Sequence, residues 1–210
     1  MLKSIIKSCV PPIVKNVRTH LSNYNQGKDI FRGDSDLFKC IVSEASAYGE
    51  YGCGASTVWV ANNTNTPIQS VDSSLEWIQK VRSEIGEQSN HELTHVDLGA
   101  LGDWGRPKSY KFRTNIATYV GGIWNSEKKP NVVLVDGRFR VACMLSSLLH
   151  GEPGTHILFD DYFERPHYHL VEEYASVTRK CGDQALFLVP NEIDKSHIAK
   201  ELERFMYVME

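Results

Sequence analysis

From residue 36 onward, short apolar runs alternate with stretches in which apolar residues recur every three or four positions. The runs predict strands at 46–51, 67–71, 93–98, 132–136, 156–160, 175–179 and 186–190. The helical spacing predicts helices at 36–44, 56–61, 75–85, 141–150, 168–174 and 193–206. Strand and helix in regular alternation predict an α/β fold with a doubly wound, mostly parallel, seven-stranded sheet of Rossmann-like type. Only a short turn around Cys181, Gly182 and Asp183 separates the last two strands. A connection that short joins an antiparallel pair, so the sheet is expected to close with a hairpin.

Residues 1–30 have a different character, and residues 31–210 are expected to form the single domain. Leu2, Ile5, Ile6, Val10, Ile13, Val14, Val17 and Leu21 keep helical spacing on either side of Pro11 and Pro12. Lys3, Lys7, Lys15, Arg18 and Lys28 accompany them, with no acid before Asp29. Two short basic amphipathic helices are predicted, which either pack on the domain or lay residues 1–22 against an anionic membrane or a partner. The whole chain of 210 residues has a net charge of −3, which argues against a nucleic-acid surface covering the protein. Its five cysteines are scattered and form no Cys-x-x-Cys pair, which fits reduced thiols and gives no zinc signature. No apolar run is long enough to span a bilayer, and the proline pair interrupts the only candidate signal sequence. The expected location is cytoplasmic, with peripheral contact at the inner membrane face as its extension; oligomeric state stays open.

In a doubly wound sheet, function gathers where strands give way to helices at their carboxyl ends. The first such place reads Glu50, Tyr51, Gly52, Cys53, Gly54, Ala55, Ser56. Two glycines one residue apart allow a sharp turn and let a ligand approach main-chain N–H groups. Glu50 can accept hydrogen bonds from a cationic or hydroxylated ligand. Asp72, at the end of the second strand, suits a ribose diol. No Gly-Lys-Ser/Thr follows, so no P-loop is present, and Thr57 stands where a dinucleotide fold carries its third glycine. An ordinary glycine-rich turn is the plain alternative. The pattern Glu-x-Gly-x-Gly-x-Ser with Asp72 downstream resembles the first two motifs of class I S-adenosylmethionine (SAM) methyltransferases. That resemblance implies a SAM site over Glu50, Gly52, Gly54, Ser56, Asp72 and Asp97, with Asp97 receiving the adenine amino group. The glycine-rich stretch that follows, with Trp104, reads as a lid or an adenine-site wall.

The fourth and fifth predicted strands end in Asp136 and in Asp160–Asp161. Carboxylates converging at one rim repel each other unless a cation intervenes, and Mg²⁺ is a hard cation that takes oxygen ligands. Asp136, Asp160 and Asp161 are therefore candidate metal ligands; helix capping without any metal is the alternative. Val-Asp-Gly at 135–137 and Phe-Asp-Asp-Tyr at 159–162 resemble metal-dependent sugar O-methyltransferases of the macrocin type. The segments 136–143 and 160–169 are also similar to uncharacterised bacterial methyltransferase-like proteins. The resemblance implies Mg²⁺ at the three aspartates and a sugar hydroxyl as acceptor. Two departures stand out. Arg138 replaces a further acid, and Phe139 occupies the place of the lysine base of catechol-type enzymes. Arg138 and Arg140 point to an anionic acceptor, or else they neutralise the aspartates. His167 and His169 are candidate bases beside Asp136, and Tyr162 a candidate for orienting the acceptor. His91, His95, His150 and His197 show no ligand spacing.

Together these features point to a SAM-dependent O-methyltransferase acting on a small or glycan-like acceptor, Mg²⁺-assisted if the aspartates bind metal, with no nucleic-acid partner. Two alternatives remain: a methyltransferase-fold binding protein without catalysis, and a nicotinamide-dependent oxidoreductase.

Overall fold

A computed structural model describes residues 30–209 apart from 33, 87 and 89. All but the last residue of the expected N-terminal segment, including its membrane-contact residues 1–22, lies outside the described residues. Seven strands form one sheet: β1 (Tyr48–Tyr51), β2 (Ile68–Asp72), β3 (His91–His95), β4 (Val132–Val135), β5 (His156–Phe159), β6 (Val177–Cys181) and β7 (Gln184–Leu188). Their order is β3-β2-β1-β4-β5-β7-β6. Strands β1 to β5 pair in parallel, and β7 runs antiparallel between β5 and β6. The expected closing hairpin is present, and Gly182 takes φ +56 in its turn.

Among the described residues, six α-helices cover the sheet: α1 (Asp36–Ser43), α2 (Ala55–Asn63), α3 (Leu75–Ile85), α4 (Ile116–Gly121), α5 (Arg140–His150) and α6 (Lys195–Phe205). A 3₁₀ helix spans Pro166–Glu173 where an α-helix was expected, with Pro166 in its first turn. Strands in the middle of a parallel sheet are buried on both faces, which is why β4 reads Val-Val-Leu-Val without polar alternation. Successive β4 side chains enter opposite cores. Val132 and Leu134 join Phe38, Val58, Ile78 and Leu158 under α1, α2 and α3. Val133 and Val135 join Tyr119, Met144, Phe159 and Ile198 under α4, α5 and α6. The result is a three-layer α/β/α sandwich. No helix among the described residues is long and apolar enough to cross a membrane.

Further expectations need correction: the strands expected at 175–179 and 186–190 lie at Val177–Cys181 and Gln184–Leu188, closer together around the Gly182 turn. The third strand is His91–His95, two residues earlier than its apolar pattern suggested, because an edge strand needs only one apolar side chain, Leu93, in the core. Helix α4 was not foreseen; it is six residues long and is flanked by 3₁₀ turns.

The turns after β1 and β4 meet backbone to backbone. A Cβ on Gly137 would lie 2.2 Å from Tyr119 Oη and 2.9 Å from Gly52 N. Gly137→Ala should therefore cost about 1–3 kcal/mol through overpacking. A Cβ at Gly121 would meet nothing within 4 Å, so Gly121→Ala should leave stability unchanged or raise it by up to about 1 kcal/mol. Urea denaturation of both variants checks the contrast.

Candidate functional site

The glycine turn is held open by main-chain bonds. Gly52 takes φ +90, and a Cβ there would lie 2.7 Å from Gly137 Cα, so both strain and space demand glycine. Gly52 N donates to Val71 O at 2.8 Å. Asp72 ties this turn to the next. Its Oδ2 accepts from Cys53 N at 3.1 Å and its Oδ1 from Ser74 N at 2.7 Å. Burial pushes the Asp72 carboxyl up to about 6, against the pull of the Ser74 and Cys53 N–H groups. The Trp77 indole N–H of α3 donates to Cys53 O, and its ring borders Gly54. Trp77 carries no motif in the sequence and was not foreseen.

Glu50 lies within β1, fully buried, rather than at the strand end. It accepts hydrogen bonds from Tyr48 Oη at 3.0 Å, Ser70 Oγ at 3.4 Å, and the hydroxyls of Ser56 and Thr57. Glu50 and Ser56, expected to meet a ligand, here meet each other beneath the turn. Burial pushes Glu50 up to about 7 despite those hydroxyls. Thr57 also accepts from Gly54 N at 2.8 Å, so the residue replacing a third glycine closes the turn.

Asp97 lies two residues past β3, exposed, its Oδ1 accepting from Gly99 N at 2.8 Å. Beyond it the chain loops over the end of β2: Ser73 Oγ donates to Gly105 O at 3.1 Å. Trp104 on this loop is 65% exposed and takes φ +59.

The acidic rim assembles after β4 and β5. Carboxylate oxygens of Asp136, Asp160 and Asp161 come within 4.8 Å of one another. Parallel pairing of Val135 with Phe159 forces this proximity. Arg140, the first residue of α5, lies among them and is 3% exposed. All three of its guanidinium nitrogens donate to protein oxygens. Nε reaches Gly137 O at 3.1 Å, and Nη1 reaches Asp160 O at 2.5 Å. Nη2 reaches Asp136 O at 3.1 Å, Asp136 Oδ1 at 2.8 Å and Asp161 Oδ2 at 3.2 Å. Arg165 Nη2 adds a contact to Asp161 Oδ2 at 2.7 Å. Burial opposes the charge on Arg140, but Asp136 and its other anionic neighbours more than offset it and raise its pKa. Arg140, expected to grip substrate, is committed to the rim. By distance the aspartates could hold a metal, but the guanidinium already supplies the cation and occupies Asp136 Oδ1 and Asp161 Oδ2, so the residues do not fit a divalent ion.

Burial, then repulsion from Asp136 and Asp161, pushes Asp160 up to about 8. Asp136 is pushed up to about 6 by burial, with Arg140 pulling it down, although a third of its side chain still reaches solvent. Arg138 stands within electrostatic reach of both Asp72 and Asp136, and its N donates to Tyr119 Oη at 3.1 Å. Among the described residues, the non-glycine positions with positive φ are Trp104, Phe139 and Asp161. All three lie at this end of the sheet.

Three other expected site residues are placed differently. Tyr162 is fully buried, and its hydroxyl donates to Glu172 at 2.9 Å, so it is a core residue rather than an acceptor guide. His169 stacks on Tyr162, with Nε2 3.2 Å from Tyr162 O. His167 is exposed beside Tyr168.

A crystal structure of a methyltransferase-like protein from Silicibacter pomeroyi is 31% identical to this chain, covering 82% of it and 92% of the other, with a TM-score of 0.72. The chain belongs to the class I SAM-dependent methyltransferase family. A methyltransferase from Geobacter sulfurreducens matches at 10% identity, 89% and 95% coverage and a TM-score of 0.51, a likeness of fold. No protein-family model matches the chain, and no curated protein shows a significant match. Within this family fold, the glycine turn and the acidic rim occupy adjacent strand ends.

Glu50 generates a pH prediction. Its folded-state value, about 7, lies above the ordinary 4.5. Its stabilising contribution is therefore complete below about pH 4.5 and is lost as pH rises through about 7. The loss amounts to about 3 kcal/mol, at 1.36 kcal/mol per pKa unit. Glu50→Gln should flatten the fall in stability between about pH 5 and pH 8, read as urea midpoints.

Proposed function

We propose that this methyltransferase-family protein transfers the methyl group of SAM to a hydroxyl oxygen of a small or glycan-like, anionic acceptor. The observation that carries this reading is the adjacency of two turns. The one stitched by Asp72 offers a cofactor shelf, and the one carrying Asp136 packs against it through Gly52 and Gly137. On this reading Gly52, Gly54 and Asp72 hold the cofactor, Asp97 takes its adenine, and Glu50 with Ser56 supports the turn from below. Methyl transfer needs an in-line approach to the sulfonium and removal of the acceptor proton, so positioning carries most of the work. The aspartate rim is the best-placed base: Asp136 and Asp160, at about 6 and 8, bracket neutral pH. His169 is held against Tyr162, whereas His167 is exposed.

An anionic acceptor is favoured by Arg138 and by the loop. Exposed Arg106, Lys108, Lys111 and Arg113 stand there with exposed Trp104 and Tyr110. Aromatic faces suit sugar rings, and the cations suit carboxylate or phosphate. The nicotinamide alternative is disfavoured by the sheet, because β7 is reversed and inserted between β5 and β6 where a dinucleotide fold runs parallel throughout.

Calorimetric titration with S-adenosylhomocysteine should show micromolar binding. Asp72→Ala should weaken it by about 10–100-fold, the worth of hydrogen bonds to a charged group. No binding by the unaltered protein would overturn the reading. An acceptor screen with labelled SAM follows. Binding without transfer to any acceptor would favour the binding-protein alternative, and transfer to an oligonucleotide would overturn the acceptor class.

A further inference from the structure

We propose that the Arg140 guanidinium takes the place of a divalent cation at the acidic rim, so that this site works without a bound metal. The inference rests on the methyl-transfer reading for its purpose, though its geometry stands apart from it. Three aspartates at adjoining strand ends need a positive charge among them. Arg140 provides it from inside the protein. Its Nη2 lies 2.8 Å from Asp136 Oδ1 and 3.2 Å from Asp161 Oδ2, facing both carboxylates at once.

The guanidinium cannot readily swing aside for an ion. Main-chain carbonyls of Asp136, Gly137 and Asp160 hold its three nitrogens. The Tyr168 ring lies 5.9 Å from it and equally far from the Arg165 guanidinium, and both cations add attraction to the ring face. Mg²⁺ binds carboxylate oxygen at about 2.0–2.1 Å and demands near-octahedral geometry. It would have to take the oxygens that Nη2 now occupies while sitting against a fixed positive charge. An arginine differs from an ion in a further respect: it has no open position for an acceptor oxygen and keeps its proton in proteins. Arg140 is thus a positioning residue. It orients Asp136 and Asp161, and Asp160 forms no ion pair among the described residues.

Mn²⁺ alone, titrated into the full chain and followed by electron paramagnetic resonance, tests this directly. The unaltered protein should leave Mn²⁺ free up to millimolar concentrations. Micromolar binding that disappears in Asp136→Asn would overturn the proposal, and this comparison requires no change at Arg140. In Arg140→Ala, checked for folding by circular dichroism, the vacated carboxylates should bind Mn²⁺ at least tenfold more tightly, with Mg²⁺ competing. A folded Arg140→Ala that still leaves Mn²⁺ free would also overturn it. Failure of S-adenosylhomocysteine to bind would sink the methyl-transfer reading and leave these metal titrations standing.

Discussion

Gly52 and Gly137 pass each other so closely that neither has room for a methyl group. This contact is the constraint on which the rest of the site depends. It joins the turn after β1 to the turn after β4, and so, on the proposed reading, the cofactor shelf to the acidic rim. Interiors are packed as densely as crystals, so two turns in backbone contact move as one piece. Tyr119 reinforces the join from α4: its hydroxyl accepts from Arg138 N, directly beyond Gly137. Tyr51 pins α4 in turn, donating to Val120 O at 2.7 Å and accepting from Trp124 Nε1 at 3.0 Å. The two turns are thereby held at one spacing.

The layered fold was legible because strands buried on both faces of a parallel sheet read as apolar runs, and β4 (Val-Val-Leu-Val) and the Ile-Leu-Phe of β5 advertise it. The convergence of Asp136 with Asp160 and Asp161 was legible for the same reason: neighbouring parallel strands deliver their ends to the same rim. The partners of those residues were not. Nothing in Glu-x-Gly-x-Gly-x-Ser reveals that Ser56, Thr57, Tyr48 and Ser70 would spend their hydroxyls on Glu50, because Ser70 comes from another strand. Spacing alone puts Arg140 four residues after Asp136, but a four-residue pair at a helix start also suits a side chain turned to solvent. Only the close arrival of β5 encloses it. Tyr162 illustrates the converse. Its place after an Asp-Asp pair suggested substrate contact, yet Asp161 at φ +55 turns the chain back and sends the ring into the core between Phe159 and Phe187.

Backbone strain marks the same end of the molecule. Left-handed conformations at Phe139 and Asp161 cost of order 1–3 kcal/mol each. Both are offset locally. Phe139 buries its ring against Tyr119, and Asp161 gains two guanidinium contacts. Without the arginines, Asp161 would have little reason to hold its conformation. The cation therefore maintains the shape of the rim as well as its charge balance.

An internal cation also divides the labour among the aspartates. A metal shared by three carboxylates would hold all of them ionised and offer its own open positions to the acceptor. Arg140 pairs with two and leaves the third to burial and repulsion, which push Asp160 up to about 8 while Asp136 stays near 6. Carboxyl groups in one cluster whose environments drive their proton affinities apart take different roles, one kept charged and one able to exchange a proton near neutrality. In this rim Asp136 and Asp161 pair with Arg140, and Asp160 does not. On the proposed reading, Asp160 is the carboxyl whose proton can move without breaking an ion pair among the described residues.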